Sequence, residues 1–475
     1  MLEVKSIHAL KGVRLAGTPP DSLWNLNIKH PEEDNSKGTI DSITPYSPST
    51  ALAEDIASSC PLVLPALTHP HIHLDKVFVH CAPEYADLLP STGSFQEALS
   101  YTSRAKAQFT TPDLLRRGGW LIAESVASGV TAMRAYVEVD NAVQLTCLEA
   151  GIKLKETWKA SCHVQLVCFA QDPIFSGPHG EENRRLMETA IRKPEVEVIG
   201  TTPYVEATTS DAKQNIEWAI DRAIERGKHL DFHLDYNLDG GKEALVWHVI
   251  SMLHAKGWIT KVPGKRVMLG HCTKLTLFSD EEWNRLATLI QEYGLPISFV
   301  GLPTSDIYMA SPPAVSHSPP QVKPRGTLHV PDMIHKYGLD AVIGVNNVGN
   351  AFTPWGGPDP LSLACLGVGL YQKGTQTDAE LLYECVSTRA RAAIGLDGLS
   401  SGLSLQENQD ADLLILYNVD ETGLGISRAR KTVAEFVWDP PGRISRDVAH
   451  ASRLVIKPFA SERAASSPAT TVLFL

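Results

Sequence analysis

One theme recurs through the middle of the chain: a short apolar, β-branched run ends in polar residues, and a stretch with helical spacing follows. Eight such runs are present: LVLPALTHPHIHLD, VTAMRAYVEVD, CHVQLVCFAQ, VEVIGTTPYVEA, KHLDFHLDYN, KRVMLGHCTK, LPISFVGLPTSDIY and LDAVIGVNNVG. Between them, residues 112–128, 141–159, 209–227 and 279–293 carry helix patterns. Thr208 or Ser210 suits the N-cap of the third of these helices, and Gly227 suits its C-cap. Eight strand–helix units in series predict an α/β fold, a (β/α)₈ TIM barrel. In that architecture the functional site lies at the C-terminal ends of the strands, which is where the polar residues gather here.

The two ends of the chain read differently. Residues 1–62 carry short strand-like runs and a polar Pro/Ser/Asp-rich stretch, and residues 398–458 carry ADLLILYN, TVAEFVWD and SRLVIK. Together they predict a small β-sandwich domain, its first part from 1–62 and its second from 398–458, beside a barrel spanning 63–397. Residues 459–475 read as a loose tail. A length of 475 residues suits one large barrel with an accessory domain.

Composition narrows the class without changing this picture. Hydrophobic residues make up 43% and charged residues 20%, as in folded globular chains. A formal charge of −11 disfavours nucleic acid or an anionic membrane as partner. A small-molecule substrate is the expected partner, and a homo-oligomer is compatible with the sequence. The eight cysteines form no CxxC pair, and several sit in apolar runs, so they read as free thiols of a reducing compartment. With no apolar core of signal-peptide type near residue 1 and no run long enough to span a bilayer, the expected location is cytoplasmic.

The chemistry begins at His69-Pro70-His71-Ile72-His73-Leu74-Asp75, the end of the first run. Alternate side chains on a strand face the same way, so His71 and His73 point together into the barrel mouth. Two neutral imidazoles on one face suit Zn²⁺ or Fe²⁺. His69 has the same parity, as a third candidate or a structural residue. The fifth run ends in Asp231-Phe232-His233-Leu234-Asp235-Tyr236, where Asp231, His233 and Asp235 share a face and His233 could complete a three-histidine site. After the sixth run, His271 could be a further ligand, polarise a substrate carbonyl or activate water.

Taken in order along nearly the whole chain, these segments resemble the amidohydrolase superfamily, in particular its cytosine deaminase-like branch. Residues 70–75 are similar to that branch's first-strand motif, Val164 to Gln171 to its third strand, Ile199 to Pro203 to its fourth, and Asp231–His233 and Gly270-His271 to its fifth and sixth. Asp410-Ala411-Asp412-Leu413 is similar to the segment that leads from the barrel back to the small β-domain. The resemblance implies one divalent metal ion, Zn²⁺ or Fe²⁺, held by the first-strand pair, the fifth-strand histidine and an eighth-strand aspartate. It also implies a proton-shuttling glutamate three residues after the fifth-strand histidine and a substrate-contacting glutamine, the place of Gln171.

Two chemical positions depart from that pattern. Asn346 falls at the eighth-strand aspartate, and a neutral amide is a weaker metal ligand that takes no proton near pH 7. Tyr236 occupies the glutamate's place, and a phenol of pKa about 10 is a poor general base unless shifted. Tyr136 and Glu138 replace the His and Asp frequent in the second strand. The metal set expected here is therefore His71, His73 and His233 with Asn346 close by. His271, Asp235 and Tyr236 are the candidates for proton transfer and carbonyl polarisation, and Gln171, Asn347 and Trp355 for substrate contact.

The expected activity is metal-dependent hydrolysis of a C–N bond, an amide or amidine or a deaminase-type bond, in a small cyclic substrate through a rearranged proton relay. A lyase, decarboxylase or cyclase on the same scaffold, and a non-catalytic ligand-binding relative, are the alternatives. Thr304, Ser305, Asp306 and Tyr308 could line the substrate side or form an exposed loop, and Trp355 could cap the pocket or pack on the rim. The stretch 311–325 reads as a lid or a surface insertion. Lys76 and Lys274 stand near strand ends, and the fourth run ends without a lysine that could bridge two metals.

Overall fold

The computed structural model describes residues 3–30, 38–47, 60–312, 325–396, 402–418 and 428–456. The tail at 459–475 and most of the stretch 311–325 lie outside the described residues. Eight parallel strands follow one another in sequence order: Leu67–His73, Val130–Glu138, His163–Ala170, Val196–Thr201, His229–Leu234, Val267–His271, Ile297–Gly301 and Ala341–Ile343. They are called barrel strands one to eight below. The sheet is nearly closed. Strands eight and one meet through an isolated parallel bridge between Ile72 and Asn346, where His73 N donates to Asn346 O (2.8 Å) and Asn346 N donates to His71 O (3.1 Å).

The periodic stretches form helices where their spacing places them. Thr209–Arg226 starts at Thr208, whose side chain accepts from Asp211 N, and stops at Gly227 in the left-handed region (φ 61°). Asp280–Glu292 opens with a capping box between Ser279 and Glu282. The apolar faces of these helices and the outward faces of the strands form one core, which includes Ile216, Ile220, Leu269, Leu286 and Phe299.

A second eight-stranded sheet draws on both chain ends, with Leu62–Pro65 between the strands Ala9–Leu15 and Leu413–Leu416. It has a separate core built around Val13, Leu26, Ile40 and Leu413. The Asp410-to-Leu413 segment leads into it. There the Asp412 carboxylate takes Arg391 at 2.9 Å, His450 Nδ1 at 2.8 Å and Ala451 N at 2.8 Å. Arg446 forks onto Asp359 with contacts of 2.8 and 2.9 Å, tying this sheet to the barrel's last segments. Among the described residues, no helix is long and apolar enough to cross a membrane, and all eight cysteines are free thiols.

Inside the barrel, strand two sets the layers. Its alternate residues face inward: Ala132 packs with Met268, Val300 and Ala390 at the floor, and Arg134, Tyr136 and Glu138 climb toward the mouth. Arg134 bonds Gln165 Oε1 at 2.7 Å and Ile394 O at 3.2 Å, and pairs with Asp231 at 3.2 Å, both partners fully buried. This pair is the pedestal beneath the functional site.

Candidate active site

The ends of strands one, five and six bring four imidazoles together above the Arg134–Asp231 pair. His71 Nε2 and His73 Nε2 lie 3.2 and 3.1 Å from His233 Nε2. The ligand nitrogens of His71, His233 and His271 all fall within 4.8 Å of one another. The His71 ring fits because glycines stand beside it on strand six and just past the end of strand eight. A Cβ on Gly270 would stand 3.1 Å from His71 Cε1, and one on Gly344 would stand 3.3 Å from His71 Cβ and 2.9 Å from Leu302.

Burial, together with the neighbouring imidazoles and Lys76, holds His71, His73 and His233 well below the usual imidazole range. The rings are therefore neutral and offer lone pairs. His71 Nδ1 lies 2.9 Å from Tyr136 Oη. Burial and the adjacent Asp231 push the Tyr136 phenol up, so it stays protonated. With Nδ1 on the Tyr136 hydroxyl, His71 turns Nε2 toward the other rings.

His69 is not part of this set. Strand one slips register against strand two between His69 and Ile72, and the bulge spans Pro70, which has no N–H for the ladder. Parity breaks there, and His69 Nε2 meets Ser125 Oγ at 3.1 Å on the helix Thr111–Ser128.

Above the imidazoles is a cavity of about 290 Å³, including its open mouth. It is lined by His73, Lys76, Gln171, Tyr204, His233, Tyr236, His271, Ser305, Asn346, Asn347 and Phe352. Asn346 is 2% exposed and its backbone is left-handed (φ 68°). Its Nδ2 donates to Ser305 Oγ at 2.7 Å, while Oδ1 has no partner. A buried acceptor left open beside converging imidazole nitrogens fits a cation or its water. The donor set is neutral throughout, so a divalent ion would keep its full charge there.

Of the residues expected to handle protons, Asp235 is turned away. It sits in the left-handed region (φ 49°), so the strand's alternation ends before it and it does not share the face of His233. Its two carboxylate oxygens accept from Leu245 N (2.9 Å) and Val246 N (3.0 Å) at the start of the helix Val246–Ala255. Burial nevertheless raises its pKa to about 6. His271 does face the cavity. Its Nδ1 meets Asp306 Oδ1 at 2.8 Å, and Asp306 Oδ2 accepts from Leu302 N (3.1 Å) and Thr327 Oγ1 (2.7 Å). Tyr236 packs against His271 with ring centroids 4.0 Å apart and the rings tilted by 32°, and burial pushes its phenol up, which leaves it a donor rather than a base.

Gln171 and Asn347 line the cavity as expected, whereas Trp355 is outside its lining and 43% exposed. Thr304, Ser305 and Asp306 are buried in the helix Pro303–Met309 rather than in an exposed loop. Lys76 enters the cavity unexpectedly. Its Nζ is 2.8 Å from Glu138 Oε1 and 3.1 Å from Gln171 Oε1, and its side chain is only 4% exposed. Tyr204 completes this wall. The signal for Lys76 was its place three residues after His73, in the same loop as the metal candidates.

A barrel with convergent imidazoles at the C-terminal ends of its strands defines a metal-dependent hydrolase class. The chain belongs to the amidohydrolase family, whose profile matches residues 62–438, and it is accordingly an enzyme that hydrolyses carbon–nitrogen bonds. No curated protein sequence matches it. Among solved structures it is similar to a 5-methylcytosine deaminase from Klebsiella pneumoniae liganded with 5-fluorocytosine (21% identity, TM-score 0.75), with 94% of this chain and 97% of that one covered. It is also similar to an N-isopropylammelide isopropylaminohydrolase from Burkholderia multivorans (20% identity, TM-score 0.69), with 94% and 97% covered. An adenosine deaminase from Xanthomonas campestris with bound Zn is more distant (14% identity, TM-score 0.54), with 94% and 92% covered. At these identities the likeness is one of fold.

Proposed function

We propose that the enzyme removes an amino or alkylamino group from a small, flat, oxo-substituted ring, with one divalent cation at His71, His73 and His233 and with His271 and Asp306 as the proton-handling pair. The observation that carries this reading is the 2.8 Å contact of His271 Nδ1 with an Asp306 carboxylate whose other oxygen is already fixed by Leu302 N and Thr327 Oγ1. Asp306 sets the tautomer, so Nε2 of His271 is the acceptor turned to the cavity.

A bound cation supplies Lewis-acid activation of water and of the scissile carbon's substituents. His271 takes a proton from the attacking water at Nε2 and returns it to the leaving nitrogen, and Asp306 stabilises the imidazolium between those steps. Tyr236 holds the His271 ring by the tilted packing of its own ring against it. Asn346 keeps its Oδ1 toward the imidazoles because Ser305 occupies its Nδ2. Lys76 and Gln171 bind and orient ring oxygens on the opposite wall, and the neutral donor set favours a substrate with an electron-rich or anionic ring. In this scheme Asp235 has a structural task only.

The test is release of ammonia or alkylamine by Zn²⁺- or Fe²⁺-loaded protein from cytosine, 5-methylcytosine and N-isopropylammelide. Turnover of a member of this panel is expected, with one equivalent of metal. Protein that retains no metal when purified without chelator would overturn the reading. Full metal occupancy without turnover of any member would overturn the substrate class.

A further inference from the structure

We propose that Lys106, which lies outside the cavity, is a positioning residue that holds the Lys76 ammonium in place through Glu138. Lys106 is the last residue of the helix Phe95–Lys106, carried by the long connection after strand one. Its side chain is 4% exposed, and its Nζ lies 2.8 Å from Glu138 Oε2, 2.5 Å from Asp140 Oδ2 and 2.9 Å from Asp172 Oδ2. Glu138 gives its other oxygen to Lys76 at 2.8 Å, and Lys76 reaches Gln171 at 3.1 Å. Each Glu138 oxygen therefore has its own ammonium, one inside the cavity and one outside. The inference rests on the reading of that cavity as the substrate site.

Charge balance gives the direction of the effect. Asp75, whose Oδ2 accepts from Glu138 N at 2.6 Å, adds a further carboxyl to the group. Without Lys106, Glu138 and Asp140 would be buried with Lys76 as their nearest counter-charge, and a buried carboxylate without a cation is strongly disfavoured. Lys76 would be drawn toward Glu138 and Asp140 and away from Gln171. The cavity would then lose its ammonium although every residue lining it is intact.

The same helix presents Phe95 to Tyr236 (6.0 Å) and to Phe352 (5.9 Å), both in the cavity lining. Docking of the helix and placement of the ammonium are thus one event. A merely structural ion pair would affect stability alone, whereas this arrangement sets substrate affinity.

Lys106→Met and Lys106→Arg test it, together with Lys106→Met/Asp140→Asn, which removes a matching negative charge and protects folding. Crystal structures of the variants read the Lys76 Nζ–Gln171 Oε1 distance. It is expected to lengthen beyond hydrogen-bonding range in both Met variants and to be kept in the Arg variant. On a panel substrate that turns over, KM should rise about 10–100-fold in the Met variants, the loss of a hydrogen bond to a charged group, with kcat within about 3-fold and recovery in Lys106→Arg. Lys76 still seated on Gln171 in either Met variant, or a fall in kcat at unchanged KM, overturns the proposal. Displaced Lys76 in a protein that turns over no panel member upholds it and rejects the substrate class instead.

Discussion

The two sides of the cavity handle buried polarity in opposite ways. On the imidazole side, His71, His73 and His233 are stripped of charge by burial and point lone pairs at one another. On the lysine side, Glu138 lies between Lys76 and Lys106, each at 2.8 Å; burial alone would raise its carboxyl, and the two lysines hold it low instead. In the proposed reading a cation from outside the chain completes the imidazole side, whereas the lysine side is complete without one. Loss of a group should therefore abolish metal binding on one side and shift substrate affinity on the other.

The largest break in that contrast is His233→Ala. It is expected to lower bound metal from one equivalent to below about 0.1 and to remove measurable turnover, read by elemental analysis and amine release. Next is Asp306→Asn, with kcat down about 10²–10⁴-fold, the usual worth of general acid–base help, at unchanged metal content. Metal loss in His271→Gln would instead place His271 among the ligands. Lys76→Met should raise KM about 10–100-fold and leave metal content alone, which separates the two sides in one measurement.

Asp235→Ala should keep kcat within about 3-fold while lowering stability at pH 5 by about 1–2 kcal/mol through loss of the helix cap, read by denaturant titration. Its pH dependence has a definite sign. Asp235 titrates at about 6 when folded, above its ordinary value of 3.8, so the folded state binds the extra proton between those values. The wild-type advantage is full near pH 4 and declines as pH rises through 6, by up to about 3 kcal/mol. The smallest effect is expected of Trp355→Ala, at most about 0.5 kcal/mol and no change in KM, since the ring is exposed and outside the cavity.

Periodicity made the barrel legible because strand and helix repeats differ and eight units leave little room for another fold. His71, His73, His233 and His271 were legible because each ends an apolar run. Two misplacements arose where local backbone breaks alternation: the bulge at Pro70 turns His69 outward, and the left-handed backbone at Asp235 turns its carboxylate onto a helix start. Asp306 was visible only as a strand-end residue, because its partner His271 is 35 residues away along the chain. The Lys76–Glu138–Lys106 chain was hidden for the same reason, since Lys76 and Lys106 stand well apart on the connection after strand one and Glu138 ends strand two, 62 residues from Lys76.

The closure itself has a mechanical meaning. A ring of strands is as strong as its weakest joint, and here that joint, between strands eight and one, is fastened by the backbone of Asn346 on His71 and His73. The ends of the circle are thus buckled by the residues of the proposed cation site. A cation seated there would act as a clasp on the whole ring, and amide exchange at residues 71–73 and 345–347 would slow on metal loading more than anywhere else in the barrel. The enzyme's catalytic competence and the integrity of its hoop would then be lost together, at one place and in one step.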